Sequence, residues 1–559
     1  MNEKLLTIVS ILLMGFLTAC VQPTELEPTI GIGANSFSAT FSNGEGLFTS
    51  ENTDPFEDTI KIIIPYYYPV ESFNLSDIAQ MKVTASLPNN VYITPALGSL
   101  GLIDLSKPTE ISIHSSDGTF SNHFLIGKIK KSSDAQIKEF SLPGVQLNGF
   151  VIESQKIVGL VSGGIDMNNQ SPNVVISPHA TITPDPSLPQ NFNEPVTYTV
   201  TAHDGTQIQY TVKTITPNKI AAGLRIGSGR LLWSKTLTEM GIAGSDNFST
   251  SIAISGNYLI VNTRNVANRY FNRFNGSYVG DMVMTGIDAV PFKNFYATSD
   301  EAGNILICNL ATAANQKVYV YKWQNASDQA PVNFIEWIND IAGSNVGRKI
   351  SVKGNLDQDA LIFMGASNSN NTILRWKVTN GTLESQTPVK IVYTGTKKWS
   401  YMADAISEGT NPNDNLFISG YPSDFAYVNT LSGNALAQVD LAASGYTVNH
   451  SVDHVVFNNS KYLAAVNINP FSWGTPSTAF LYDVSIPAAL GTLPSEANYS
   501  QILVYKSSPV PSPAGNGNST GDVLMKVSDD SYKMVMYLLV TNGGVAAFEF
   551  DCIDVNNVN

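Results

Sequence analysis

From about residue 217 onward the chain repeats one pattern roughly every 50 residues: a short apolar strand, then a pair of strands around a tight turn. The pairs run Tyr270–Met282 around Asn275-Gly276, Val318–Phe334 around Asn325, Ile373–Val392 around Asn380-Gly381, Phe425–Leu441 around Ser432-Gly433, and Ala479–Leu493 around Ile486-Pro487. Ahead of them lie Tyr258–Val261, Asn304–Cys308, Leu361–Met364, Leu416–Ser419 and Tyr462–Val466, and Met534–Val540 opens the last repeat. Sheets of four strands that recur in this way predict a β-propeller over 217–559, with six blades. The strand Gly229–Leu237 precedes the first repeat, and little chain follows Val545–Phe550 to supply an outer strand for the last one. Pairing the early strand with the final repeat closes the ring and leaves no open edge between first and last blades.

The other end of the chain sets an address. Lys4 precedes an apolar run from Leu5 to Leu17, and Leu17-Thr18-Ala19-Cys20 places small residues before a cysteine. This is the layout of a lipoprotein signal over 1–19, with Cys20 lipidated as the mature N-terminus. The run is about a dozen residues, short of the ~20 that cross a bilayer. Residues 20–29 are polar and proline-rich and read as a tether.

Between tether and repeats lies a duplication. Thr94-Pro95, Asp104-Leu105-Ser106-Lys107-Pro108 and Asp117-Gly118-Thr119 recur as Thr183-Pro184, Asn191-Phe192-Asn193-Glu194-Pro195 and Asp204-Gly205-Thr206, with Pro108 and Pro195 offset by 87 residues. In the second copy Val196–Ala202 alternates as a half-buried strand, Asp204-Gly205 makes the hairpin, and Ile208–Val212 returns. Two β-sandwiches are expected, at 30–134 and 135–216. The stretch from Thr181 to Lys213 resembles the Ig-like or cadherin-like modules of surface lipoproteins from polysaccharide-using Gram-negative bacteria. Module order and ring closure together resemble lipoproteins with paired Ig-like modules and a C-terminal propeller, mostly of unknown function. The expected fold class is therefore all-β. The resemblance implies an outer-membrane lipoprotein facing the cell surface, and Glu25 and Glu27 resemble the acidic export signals of such proteins.

Composition narrows the partners. The formal net charge of -14 disfavours nucleic acid and anionic membrane surfaces and leaves neutral sugars as ligands. With Cys20 assigned to lipid, Cys308 and Cys552 sit in strand-like runs and read as buried free thiols. No Cys/His cluster points to a structural metal, and no cofactor is implied.

The sequence holds no H-E-x-x-H and no Walker loop. His450, Asp453 and His454 form a compact titratable group, more readily structural than metal-binding. Asn411–Asn415 lacks the alternating carboxylates of a calcium loop. Aromatic residues carry the functional expectation, because a sugar presents an apolar C–H face and a hydroxyl rim. If the strands run as assigned, one face collects Arg264, Trp337, Trp399, Tyr401, Tyr421, Tyr446, Phe471 and Trp473, with Trp399 facing either the ring opening or the core. Phe471 and Trp473 stand out between Pro470, Gly474 and Pro476, whereas Trp233, Trp323 and Trp376 read as core. Tyr66-Tyr67-Tyr68 in the first module reads as packing. The expectation is a propeller that binds a glycan or glycoprotein, with the sandwiches as spacers. The alternatives are a propeller glycoside hydrolase or lyase, and a scaffold protein of an outer-membrane uptake complex.

The anchor reading generates a direct test. Cys20→Ser is expected to move the protein from the membrane to the soluble fraction, and a variant that stays membrane-bound contradicts it.

Overall fold

The structure, a computed structural model, describes residues 33–557 apart from 52–57, 243–248, 265, 288–289, 291, 329, 369–370, 396–397, 400, 423, 448, 450, 469–476, 511–520 and 542. It is all-β and divides into two compact units, one of Met1–Val161 with Ile165–Thr214, the other of Ser162–Gly164 with Ile215–Asn559.

The first unit contains two cores, one drawn from residues between Ala34 and Leu125 and one from residues between Ala135 and Val212. In the first, a sheet ordered Thr59–Pro65, Phe120–Lys130, Thr109–His114, Tyr92–Thr94 shares its core with a three-stranded sheet built on Ser36–Phe41. In the second, Thr181–Thr183, Val196–Thr201 and Gln207–Ile215 lie side by side in a five-stranded sheet. The 87-residue offset is visible in three dimensions. Tyr92–Thr94, Thr109–His114 and Phe120–Lys130 of the first copy make the same run of antiparallel neighbours. Both hairpins turn alike: Asp117 Oδ1 accepts from Thr119 N and Asp204 Oδ1 from Thr206 N, each at 2.9 Å. Gly118 and Gly205 supply the left-handed backbone at φ 86° and 94°. Alternation decides which residues face in, so Ile111 and Ile113 are buried in one copy and Tyr198 and Val200 in the other.

The second unit consists of six antiparallel sheets. Their innermost strands are Ser249–Ser255, Tyr296–Ser299, Ser351–Gly354, Met402–Ser407, Val452–Phe457 and Gly521–Val527, here the inner strands of sheets 1 to 6. Each inner strand contacts the next, and that of sheet 6 contacts that of sheet 1, so the contacts run in a closed cycle. Sheet 3 carries a fifth strand. Sheet 6 is completed by Arg230–Thr236, which pairs antiparallel with Gly544–Asp551, as the position of Gly229–Leu237 in the sequence implied. Arg225 and Arg230 hold this strand with bonds of 2.6 Å to Asp551 and Glu549. Trp233 then ties sheet 6 to sheet 1. Its indole N–H donates to the Arg273 carbonyl at 2.9 Å, and its ring lies so close to Gly276 that an added Cβ would sit 2.8 Å from it.

One sequence assignment moves. The outer strand of sheet 5 is not in Ala479–Leu493: Thr478–Asp483 is followed by a 3-10 helix at Pro487–Gly491, and the edge strand is Leu503–Lys506. Pro487 fixes φ at the helix start and removes a donor, so the chain turns before it can return. Cys308 and Cys552 are free and buried, with burial pushing their thiols up to about 12 and about 11.

Trp233→Ala removes a buried indole and its hydrogen bond at the ring's closure. It is expected to cost about 3–5 kcal/mol in urea unfolding of the whole chain, and a loss within error would contradict the closing role of this strand.

Candidate functional site

The inner strands leave one edge unpaired at the centre of the ring, and polar side chains at their ends fill it. Asp522 Oδ2 accepts from Ile252 N at 2.9 Å, joining sheet 6 to sheet 1. Asp300 Oδ2 accepts from Leu356 N at 2.7 Å, Asp404 Oδ2 from Val452 N at 3.2 Å, and Asp453 Oδ2 from Met525 N at 2.6 Å. Ser299 Oγ accepts from Ile254 N, and Ser351 Oγ donates to the Ala405 carbonyl. Every neighbouring pair of sheets is stitched in this way.

Behind the stitches lies a buried charge network. Lys349, 1% exposed, donates from Nζ to the Tyr296 hydroxyl, to Gly521 O at 3.1 Å and to Asp522 Oδ1 at 3.4 Å. The Ser451 hydroxyl donates to Asp522 Oδ1 at 2.8 Å and lies 3.5 Å from Asp404 Oδ2. Burial pushes the carboxyl groups of Asp300 and Asp404 above their ordinary range, against the hydrogen bonds that pull them down.

Around this frame is a cavity of about 540 Å³. Asp300, Glu301, Asp404, Asp453 and Lys353 bring charge to its wall, and Thr298, Ser299 and Thr410 bring hydroxyls. Ile254, Ile350, Val352, Val455 and Leu524 add apolar surface. Lys353 Nζ lies 2.7 Å from Glu301 Oε1 and donates to His454 O at 3.1 Å. Burial pushes Asp453 up to about 6. His454 is 1% exposed, stacks on Phe417 at 5.5 Å, and has no hydrogen-bond partner for either ring nitrogen. Burial holds it well below the usual histidine range, so its imidazole is neutral. Among the described residues no group of three or more His, Cys, Asp or Glu is arranged to hold a metal ion.

Residues 231–554 match the family described as "Domain of unknown function (DUF8500)", more than half of the chain. The chain belongs to the DUF8500 family. Residues 137–214 and 15–127 match two further families, both described as domains of unknown function (DUF8499 and DUF5018). No curated protein matches it. Among solved structures, it is similar to a DUF4623 family protein from Bacteroides eggerthii DSM 20697, at 14% identity and TM-score 0.47, covering 75% of this chain and 98% of that one. It also matches a "putative glycoside hydrolase" from Bacteroides thetaiotaomicron VPI-5482, at 17% identity and TM-score 0.16, covering 48% and 86%.

Within the DUF8500 region the aromatic residues expected on one face divide. Trp399 is 1% exposed, its indole donates to Ala366 O at 2.9 Å, and it stacks on Tyr393. Trp337 is buried edge-on against Trp376, and Tyr446 is buried against Phe480. These three correct the sequence reading: Trp337 lies in the outer strand Val332–Ile338 and packs on Trp376 of sheet 3, and Trp399 and Tyr446 lie in connections whose rings join the cores, where their area is worth more than on the surface. Tyr421 is half-buried against the core shared by sheets 5 and 6. Arg264 and Tyr401 do meet around a common cluster. Arg264 lies over the Phe295 ring at 4.6 Å, and Arg348 over Tyr401 at 4.3 Å and Phe295 at 6.0 Å. Cys20, His450, Phe471 and Trp473 lie outside the described residues. Apart from Asp453 and His454, the cavity residues escaped sequence reasoning because they are gathered from several repeats. The available signal was a carboxylate at or beside four of the six inner strands: Asp300, Asp404, Asp453 and Asp522.

The Asp453 shift has a signed consequence. Its ordinary value is 3.8 and its folded value about 6, so the native state keeps a proton that the unfolded chain has lost. Its contribution to stability therefore falls as pH rises from about 4 to about 6 and is level above that. Urea midpoints across this window should fall less steeply in Asp453→Asn than in the parent, and parallel profiles would contradict the assignment.

Proposed function

We propose that this DUF8500 chain is a surface-facing outer-membrane lipoprotein that binds a glycan or glycoprotein. In this reading the ring is a six-bladed β-propeller with the ligand in its axial cavity, and the two N-terminal modules are Ig-like spacers. The observation that carries it is the cavity itself. At about 540 Å³ it falls in the range of small-ligand sites. Its wall sets aliphatic side chains beside hydroxyl, carboxyl and ammonium groups, the mixture a sugar's apolar face and hydroxyl rim require. The signal at Cys20 supports an envelope location, and the net charge of -14 argues against nucleic acid as partner.

A second reading, a glycoside hydrolase, has Asp453 behind it, since a carboxyl raised to about 6 is suited to proton donation near neutral pH.

A glycan array probed with the lipid-free chain tests the binding reading, with product analysis of each hit separating binding from cleavage. Val456 lines the cavity and is 54% exposed, so Val456→Trp should fill it without disturbing the core. Binding of an array hit is expected to weaken about tenfold or more with the melting temperature unchanged. Unchanged affinity would place the ligand elsewhere.

A further inference from the structure

We infer that the joint between the two modules of the first unit is a ligand site of its own, a cleft that takes a neutral saccharide. None of its residues lines the axial cavity, and the modules then do more than space the ring from the membrane.

The run Tyr66-Tyr67-Tyr68 builds it. Tyr68 turns into the first module, against Phe41 at 5.0 Å and Phe48 at 5.5 Å. Tyr66 and Tyr67 reach the second module instead. Tyr67 packs on His179 at 4.3 Å and on His203 at 5.4 Å, and Tyr66 meets His203 edge-on at 5.0 Å. His179 Nε2 donates to the Val70 carbonyl at 2.7 Å and fixes the joint from the other side. A wall held in this way has little freedom left to lose when a ligand arrives.

Two observations point from this joint to a ligand. The first is space with accessible bonding groups around it. A cavity of about 580 Å³, in the range of small-ligand sites, is lined by Tyr66, Tyr67, His179 and His203 and by the connection from Lys130 to Gln136. Among the described residues, the hydroxyls of Tyr66 and Tyr67 and the ring nitrogens of His203 make no hydrogen bond, and none of these atoms is sealed from solvent. Burial, with Lys131 and His179 nearby, holds His203 below the usual histidine range, so its neutral ring offers one donor and one acceptor. The second observation is exposed apolar surface beside the cavity. Val70, Phe73 and Leu75 stand out from one short loop, Phe73 at 81% exposure, and Phe73 touches His179 edge-on at 4.9 Å. Single exposed apolar residues are ordinary, but three together at the rim of a cavity mark an interaction surface.

The occupant follows from the chemistry of the wall. Lys130 and Lys131 are offset by Asp134 and Asp204, so the cleft does not select a charged ligand. A sugar lays its C–H face on an aromatic ring and gives its hydroxyls to the phenols and the imidazole. An apolar peptide would cover those polar atoms and leave them unpaired.

Calorimetry on the lipid-free chain with neutral hexasaccharides of glucose, mannose, galactose and xylose tests this, and at least one is expected to bind. Ser133 is exposed on the cleft wall, so Ser133→Trp should fill the cleft and weaken that binding about tenfold or more, whereas Val456→Trp in the axial cavity should leave it unchanged. Tyr66→Phe keeps the packed ring and loses only the hydroxyl. It should weaken binding about threefold or more with the melting temperature unchanged, which keeps the test intact if Ser133→Trp does not fold. No binding of any of the four, or affinity unchanged in these cleft variants, overturns the inference. Affinity lost only in Val456→Trp also overturns it and leaves the axial reading standing.

Discussion

A ring of separate sheets has an unpaired strand edge at its centre for every sheet it contains, and the second unit depends on how those edges are satisfied. A buried backbone N–H without a partner forfeits about 1–3 kcal/mol, and six bare edges would exceed the margin by which a domain is stable. Here side chains from the next sheet act as the missing strand. Carboxylates of Asp300, Asp404, Asp453 and Asp522 and the hydroxyls of Ser251 and Ser299 accept inner-strand amides or those just past them. At the outside the remaining opening between first and last sheets is closed by Arg230–Thr236, pinned through Trp233 to the sheet it must meet.

The same solution creates the cavity and its chemistry. Carboxylates placed to cap amides cannot be replaced by apolar groups, so the axis stays polar and the side chains cannot close over it. Lys349 neutralises one end of this network, bridging Tyr296 and Asp522 while itself buried. Away from it, the desolvated acids carry raised proton affinity, and Asp453 and His454 retain bonding capacity that the fold does not use.

How much of this was legible in the sequence follows from range. Local signals were readable: Asn275-Gly276 and Asn380-Gly381 lie at turns between paired strands, and the duplicated Asp-Gly hairpins superpose in topology. The early strand at residue 230 was legible from a chain count, because the last repeat lacked a fourth strand. Trp399 and Trp337 were misread because their burial is decided by their packing partners, Tyr393 and the Ala366 carbonyl for one and Trp376 of the next sheet for the other, which periodicity does not reveal. Pro487 signalled a break but not where the chain would resume its sheet. The axial carboxylates lie tens to hundreds of residues apart, and only closure of the ring makes them neighbours.

Amide hydrogen exchange at the capped positions tests the central claim most directly. Ile252, Leu356, Val452 and Met525 have no strand partner on the axial side, so their protection depends on the side-chain oxygens that accept from them. The account predicts that these four amides exchange as slowly as those in the middle strands of the same sheets, through global unfolding. Exchange at the rate of open loop amides would show that the edges are satisfied by solvent, and that the ring closes for another reason.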